Sequence, residues 1–295
     1  MIDGGIEAGG TKWVCALGSG PDDVQASVVF PTGAPDETIG RAVEFLRTAG
    51  PDLAAVGVGS FGPVDLDPAS PTWGRITTTP KPGWRGVDLA PALASALGVP
   101  VAFDTDVNAA ALGEQRWGAA AGLDTFCYVT VGTGIGGGAV ANGKVVHGLL
   151  HPEMGHMRIP HDRERDPFDG ACPYHGDCFE GLASGRAIAA RWPRLGDGPW
   201  PDEVLRLEAH YLALGLSNVV AVLSPQRIVL GGGVLKAAGL LERVRAELVH
   251  AAAGYFDTPA LTEPAVDFVV APALGDRAGV LGAIALAQLI RADDD

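Results

Sequence analysis

The sequence has no long hydrophobic run and few basic residues, and each of these absences excludes a class of protein. No apolar run is long enough to span a bilayer, and no charged-then-apolar signal segment opens the chain. With 21 Lys and Arg against 35 Asp and Glu, the formal net charge is −14, which disfavours binding to a phosphate backbone. We therefore expect a cytoplasmic protein that binds neither nucleic acid nor membranes.

Cysteine is also scarce, with four in 295 residues. Cys15 and Cys127 lie in apolar, strand-like runs, so we predict that both are small buried side chains. Cys172 and Cys178 lie on either side of His175, and they could form a disulfide or bind a metal. A reducing compartment and the nearby histidines favour the metal.

A complete set of zinc ligands lies within residues 152–180. His175 stands between Cys172 and Cys178 in a C-x2-H-x2-C pattern, and His156 precedes this pattern by sixteen residues. Nucleic-acid-reading fingers place their second ligand pair after a helix, and this spacing does not. We predict structural zinc bound by all four, because four protein ligands leave no open position for catalysis. The alternative is a set of unrelated loop residues with reduced thiols.

Length and a hydrophobic content of 47 % predict about two domains, or one large one, with a substantial core. A hairpin with a Gly-Thr turn occurs twice, about 120 residues apart, and opens an α/β unit each time. We expect two α/β domains, residues 1–117 and 118–275, facing one cleft. The second carries the zinc loop, and a last helix at residues 276–291 returns to the first.

Within this frame, finer predictions concern individual elements. A glycine turn at residues 132–138 is followed by a returning strand at 139–146, and a single helix covers residues 179–191. The sequence ends in a short acidic tail at residues 293–295, which we expect to be frayed.

The glycine-rich turns do not match the common nucleotide motifs. Two G-x-G-x-x-G matches, at residues 57–62 and 132–137, lack the helix that a dinucleotide site needs after them, and no G-K-[S/T] occurs. What remains is a pair of hairpin turns in which glycine lets the backbone approach a ligand closely. Thr11 and Thr133 add a hydroxyl to each turn, so the two turns could hold a polyphosphate. Ordinary tight turns are the alternative.

The segment from Asp104 to Asn108 closes a buried strand and opens a helix. Asp104 or Asp106 is expected to cap that helix, since Asp is a preferred N-cap. Two acids and an Asn in five residues exceed what capping needs. A carboxylate at a strand end is well placed to act as a general base.

Together these residues resemble the ROK family of sugar kinases, within the actin-like/hexokinase ATPase superfamily. The resemblance covers nearly the whole chain in order. The matching segments are residues 7–12, 59–65, 104–108, 132–138, 153–156, the Cys/His loop ending in Glu180, and 231–233. The resemblance implies two actin-like (ribonuclease H-like) ATPase domains.

The resemblance also implies ATP-dependent phosphoryl transfer to a hexose hydroxyl, with Mg²⁺ accompanying ATP. Asp106 falls on the family's catalytic base. The implied sugar contacts are Asn108, Glu153, His156 and Glu180, with His156 shared with zinc. The implied ATP contacts are Gly9, Gly10, Thr11, Lys12, Gly132, Thr133, Gly134, Gly231, Gly232 and Gly233. Glu7 supplies a carboxylate near the first turn, where it could orient magnesium through water.

Two departures from the common family pattern resemble the fructokinase branch. Many members have Asp where Glu7 stands, and C-x-C-x4-C where this chain has Cys172, His175 and Cys178. A Ser-Phe-Gly-Pro run and the Thr-Pro-Lys-Pro-Gly-Trp run at residues 79–84 resemble the same branch. We therefore expect phosphorylation of D-fructose to fructose 6-phosphate.

The alternatives are a glucokinase, a mannokinase, an N-acylhexosamine kinase, or a sugar-binding regulator without catalysis. Repressor members of the family carry an extra N-terminal helix-turn-helix. This sequence starts at its first strand, so the kinase form is expected. A homodimer is a further family expectation.

Overall fold

A computed structural model of the chain divides by its internal contacts into two compact units. The structure describes residues 2–196, 198–263 and 265–292. Unit 1 runs through Gly122 and adds Val145–Pro152 and the segment from Ala273 onward, whereas unit 2 comprises Leu123–Lys144 and Glu153–Pro272. The acidic tail at residues 293–295 lies outside the described residues. None of the helices in the described ranges combines the length and apolar character needed to cross a membrane.

The described residues form two mixed sheets and the helices that connect and cover their strands. The strands are β1 (Ile2–Ala8), β2 (Lys12–Gly20), β3 (Asp23–Pro31), β4 (Leu53–Ser60), β5 (Val101–Thr105), β6 (Phe126–Val131), β7 (Ile135–Ala141), β8 (Lys144–Val145), β9 (Ile228–Gly231) and β10 (Val269–Val270). The helices are α1 (Pro35–Ala49), α2 (Leu89–Leu97), α3 (Asp106–Trp117), α4 (Phe179–Ala183), α5 (Gly185–Arg191), α6 (Asp202–Leu223), α7 (Leu240–Ala252), α8 (Pro259–Thr262) and α9 (Ala278–Ala292). This architecture confirms the predicted α/β class.

The sheet of unit 1 has the strand order β3-β2-β1-β4-β5. β1 to β3 form an antiparallel meander, whereas β4 and β5 run parallel to β1. Ala8 pairs with Ser60, and Ser60 pairs with Thr105, so three strands end at one edge. The turn at residues 9–12 and the start of α3 therefore lie at the same edge of the sheet.

Glycines let α9 pack closely within unit 1. A Cβ on Gly57 of β4 would lie 1.8 Å from the carbonyl oxygen of Ala283. A Cβ on Gly282 would lie 1.7 Å from the carbonyl oxygen of Ala109 in α3. Real side chains do not tolerate such distances, so α9 covers the sheet and α3 only because these positions have no side chain.

The sheet of unit 2 has the order β10-β9-β6-β7-β8. β9 is parallel to β6, and Thr130 pairs with Gly231. The turn at residues 132–134 and the glycines at 231–233 therefore lie at one edge. The long helix α6 packs against α7 over the hydrophobic core of this unit.

Two element predictions in unit 2 are wrong. The returning strand begins at Ile135, because Ile135 already pairs with Val131, and this leaves residues 132–134 as the turn. The helix predicted at residues 179–191 is broken at Ser184. The backbone there is extended, and the Ser184 hydroxyl accepts the N–H of Ala187 to cap the next helix.

Candidate functional site

Hydrogen bonds fix the backbone of the first glycine turn, whereas its side chains are exposed to solvent. The Gly9 N–H donates to the Lys12 carbonyl at 3.1 Å. The Thr32 hydroxyl donates to the Gly9 carbonyl at 2.7 Å, and the Thr32 N–H to the Thr11 carbonyl at 3.0 Å. Thr11 and Lys12 are exposed. The turn therefore offers a fixed backbone, a hydroxyl and an ammonium group to a ligand.

Glu7 lies at the end of β1, just before this turn. Burial raises the pKa of Glu7, whereas the charge of Lys12 opposes the shift. Its Oε2 is buried and has no hydrogen-bond partner among the described residues. A Cβ on Gly279 would lie 2.4 Å from the Glu7 carboxyl carbon, so the glycine makes room for this group. A buried carboxylate oxygen without a donor fits a magnesium ion or its water ligand.

The N-cap of α3 differs from the prediction. Thr105 caps the helix: its backbone is extended, and its hydroxyl accepts the Asn108 N–H at 3.1 Å. The expected Asp104 or Asp106 cap is therefore wrong, because Asp104 still lies in β5 and Asp106 is already the first helical residue. Asp106 is half-buried, and its Oδ1 accepts the Val107 N–H at 2.9 Å.

Asp104 and His147 form an ion pair that sequence reasoning missed. The His147 Nε2 lies 2.9 Å from the Asp104 Oδ2, and this hydrogen bond raises the pKa of His147. The Asn108 Nδ2 donates to the Asp104 Oδ1 at 2.7 Å. The sequence did contain a signal for functional histidines in this region, since five of the seven histidines fall within residues 147–175.

The second glycine turn lies beside Glu180, a predicted sugar-binding residue of unit 2. The Gly132 N–H donates to the Gly134 carbonyl at 2.9 Å. The Ile135 N–H donates to the Glu180 Oε2 at 3.0 Å. A Cβ on Gly134 would lie 2.4 Å from the same oxygen, so only glycine lets this carboxylate approach the turn.

The glycines after β9 lie beside the strand that leads into this turn. Gly232 has φ +98°, and a Cβ there would lie 2.3 Å from the Val131 carbonyl oxygen. Gly231 pairs with β6, and Gly233 is exposed. The structure thus brings residues 132–134 and 231–233 to one edge of the unit 2 sheet.

The four predicted zinc ligands converge. Their donor atoms all lie within 4.8 Å of one another. The Cys172 Sγ is 3.7 Å from the Nδ1 of His156 and 3.7 Å from the Nδ1 of His175, and the Cys178 Sγ is 3.6 Å from the Nδ1 of His156. Tetrahedral zinc with bonds of about 2.3 Å to sulfur and about 2.0 Å to nitrogen requires S···N edges of roughly 3.5 Å. The donor set therefore fits zinc.

None of the four cysteines forms a disulfide, so the disulfide alternative for Cys172 and Cys178 is not the one observed. Cys15 and Cys127 are fully buried, as predicted. Burial raises the pKa of each of these two thiols to about 12, so they stay protonated and unreactive.

Glu153, His156 and Glu180, the predicted sugar contacts of unit 2, lie close enough for their charges to interact. Desolvation by surrounding groups and then the charge of Glu180 raise the pKa of Glu153 to about 7, although part of this residue is exposed at the surface. Burial lowers the pKa of His156, and Glu180 opposes that shift. Gly155, between Glu153 and His156, packs against the carbonyl oxygen of Ile135. Carboxyl groups and an imidazole so arranged can donate and accept hydrogen bonds with vicinal hydroxyls.

The sequence profile of the ROK family matches residues 3–290. A fructokinase from Zymomonas mobilis is 47 % identical over 97 % of this chain and 96 % of its own. A fructokinase from Streptococcus mutans is 40 % identical over 98 % of both chains. A ROK family glucokinase from Streptomyces griseus, solved with glucose and AMPPNP, has a TM-score of 0.78 at 27 % identity, covering 98 % of this chain and all of its own.

Proposed function

Because this chain belongs to the ROK family, we propose that it is an ATP-dependent hexose kinase that converts D-fructose to fructose 6-phosphate. The observation that carries the proposal is the identity to fructokinases along nearly the full length of both chains. The site supports it independently, because unit 1 combines a braced glycine turn with a carboxylate at one sheet edge.

Asp106 is the general base in this proposal. Its carboxylate takes the proton of the primary hydroxyl of the sugar while that oxygen attacks the terminal phosphorus of ATP and ADP leaves. Thr105 performs the capping, which supports a catalytic role for Asp106. Asn108, Glu153, His156 and Glu180 bind the ring hydroxyls and fix the orientation of the sugar. Positioning and neutralisation of charge supply most of the rate enhancement of phosphoryl transfer.

The nucleotide contacts come from the glycine turns. Residues 9–12 and 132–134 present backbone N–H groups and threonine hydroxyls to the phosphates, and residues 231–233 approach the adenosine. Lys12 neutralises phosphate charge. Magnesium, when bound with ATP, neutralises further charge. The Oε2 of Glu7, which has no hydrogen-bond partner in the described part of the chain, supports a role in holding the water ligands of magnesium.

A structural zinc ion completes the proposal. His156, Cys172, His175 and Cys178 hold it, and S···N distances of 3.6 to 3.7 Å support a tetrahedral site. His156 turns its Nδ1 towards the sulfurs, which leaves the opposite ring nitrogen for the sugar. The ion's contribution is to fix the loop that carries Glu153 and Glu180.

A substrate panel tests the function. Purified protein is given ATP with D-fructose, D-glucose, D-mannose or N-acetyl-D-mannosamine, and ADP release is followed by a coupled assay. We expect the highest kcat/KM for fructose. A preference for glucose would replace fructokinase by glucokinase, the activity named for the Streptomyces griseus relative. Sugar binding without ADP release would indicate a regulator.

A further inference from the structure

Asp104 is a buried carboxylate that the proposed mechanism does not use. It is 4 % exposed and lies two residues before the proposed base. Its Oδ1 accepts the Thr105 N–H and the Asn108 Nδ2, both at 2.7 Å. Its Oδ2 lies 2.9 Å from the His147 Nε2. With both oxygens engaged by donors, Asp104 is suited to orient its neighbours rather than to take a proton from a substrate.

The amide of Asn108 is the group that this carboxylate orients. Because the Nδ2 donates to Asp104, the Oδ1 is the atom left for another partner. Asn108 is 1 % exposed, and this Oδ1 has no hydrogen-bond partner among the described residues. A buried acceptor without a donor is costly, so the side chain is arranged for a hydroxyl or amine from a ligand.

His147 completes the cluster from a different part of the chain. Its ring is half-exposed, and its Nε2 also lies 3.4 Å from the Asn108 Nδ2. His147 belongs to the segment Val145–Pro152, whose other histidine, His151, accepts the Val64 N–H at 3.1 Å. Two imidazoles therefore fasten this segment to unit 1, and Glu153 follows it directly in sequence.

We propose that Asp104 and His147 are positioning residues for the hexose. They hold the Asn108 amide so that its carbonyl oxygen, rather than its NH₂ group, faces a sugar hydroxyl. This inference rests on the proposed function, since it takes a hexose as the donor that Asn108 awaits. It assigns the residues a role in sugar affinity that is separate from proton transfer at Asp106.

The substitution Asp104→Asn tests this role, because an amide cannot accept from Asn108 and His147 together without losing another bond. We expect the KM for fructose to rise about tenfold or more, the effect of losing one well-made hydrogen bond to a charged group. The KM for ATP should stay within about twofold, and kcat should fall less than the KM rises. An unchanged KM for fructose in Asp104→Asn would overturn the inference.

His147 provides a second, independent variant with its own conservative rescue. His147→Gln keeps an N–H donor for Asp104 and should stay within about threefold of the wild-type KM for fructose. His147→Leu removes the donor and should raise that KM by about fivefold or more. If Asp104→Asn does not fold, the difference between the two His147 variants decides the matter, and equal KM values would overturn the role of His147.

The matched control is Asp88→Asn, which breaks an exposed aspartate ion pair with Arg75. Its kinetic constants should equal those of the wild type. The activity of the wild type on the hexose panel distinguishes a failure of the fructose assignment from a failure of the positioning role. A wild type that uses glucose refutes the fructose assignment, and the same KM ratios measured with glucose then still support or overturn the positioning role.

Discussion

At the scale of single residues, Asp104 and Asp106 show how two identical side chains acquire different roles. Asp104 is buried and fully engaged by neighbouring donors, whereas Asp106 is half-buried at the first position of α3. Thr105, between them, performs the capping. Composition alone could not distinguish these roles, because both residue types, Asp and Thr, are good caps.

Replacing the proposed base tests the mechanism directly. Asp106→Asn keeps the size of the side chain and removes its capacity to take a proton. We expect kcat to fall by about 10²- to 10⁴-fold, with fructose affinity nearly unchanged. Steady-state kinetics and calorimetric titration of fructose measure both quantities, with Asp88→Asn as the control. Near-normal turnover would remove Asp106 from its role.

The Asp104–His147 pair predicts a pH dependence of stability. The hydrogen bond to Asp104 raises the pKa of His147, so the pair contributes fully below the unfolded pKa of about 6.5. Its contribution is lost as pH rises through the higher folded pKa. Since the ring is half-exposed, we expect at most about 1 kcal/mol.

Urea unfolding of the wild type and His147→Gln at pH 6 and pH 9 measures this effect. The difference in unfolding free energy should be largest at pH 6 and should shrink at pH 9. Burial lowers the pKa of nearby His151, but His151 is present in both proteins and its titration largely cancels. A difference that does not change with pH would contradict the prediction.

At the scale of elements, the Cys/His loop contains a second cluster besides the four predicted zinc ligands. This second cluster is a buried polar network that ties the loop to α5 and α6. The Tyr211 hydroxyl donates to the Asp166 Oδ2 at 2.7 Å, and the Arg191 Nε to its Oδ1 at 3.2 Å. The two ring nitrogens of His161 lie 3.0 Å from the Asp166 carbonyl oxygen and 3.2 Å from the Asp177 carboxylate.

Metal removal should therefore loosen the loop without unfolding the protein. We expect metal analysis to find about one zinc per chain, and chelation or Cys172→Ser to abolish most activity. Limited proteolysis should then cut within residues 152–180. Cys15→Ala, a buried cysteine far from the ligand set in sequence, should keep its zinc. Fully active protein without zinc would contradict this prediction.

The network itself makes a separate prediction for stability. Tyr211→Phe removes a buried O–H donor from the Asp166 carboxylate, which should cost about 1–3 kcal/mol of unfolding free energy. Tyr255→Phe is the matched control, because Tyr255 is 86 % exposed and should change stability little. Equal denaturation midpoints for the two variants would show that the network contributes nothing.

The elements also show what a sequence pattern can and cannot predict. The spacing of Cys172, His175 and Cys178 predicted a converging donor set, because ligand chemistry restricts the residue types and their separation. The break at Ser184 was missed, because the apolar spacing continues across it and a serine cap is a local backbone choice. His147 was missed because its partner lies 43 residues away in sequence.

At the scale of the whole molecule, the repeated hairpin predicted two α/β units, and both have a five-stranded sheet within the described residues. The repeated hairpin could be recognised in the sequence because glycine turns and strand-like runs are local signals. The ion pairs and glycine contacts that join distant segments could not be predicted, because a single sequence does not show which distant residues come into contact. Gly57 and Gly282 gave no indication that α9 would pack against β4 and α3.

A glycine pair tests this packing. Gly57→Ala places a methyl group where the Ala283 carbonyl already lies, so we expect it to lower unfolding free energy by more than about 3 kcal/mol or to prevent folding. Gly40→Ala is the matched control at an exposed position of α1, where a Cβ meets nothing within 4 Å. It should stabilise by about 0.5–1 kcal/mol. Thermal unfolding compares the two, and a well-folded Gly57→Ala variant would contradict the packing argument.

The membership of α9 in unit 1 has a consequence for biosynthesis. The first 122 residues leave the ribosome long before the helix that covers β1 and β4 has been translated. Until then, α9 cannot cover the apolar face of the nearly complete sheet. Exposed apolar surfaces of this kind promote aggregation of nascent proteins. The core of unit 1 therefore cannot close before α9 has been translated.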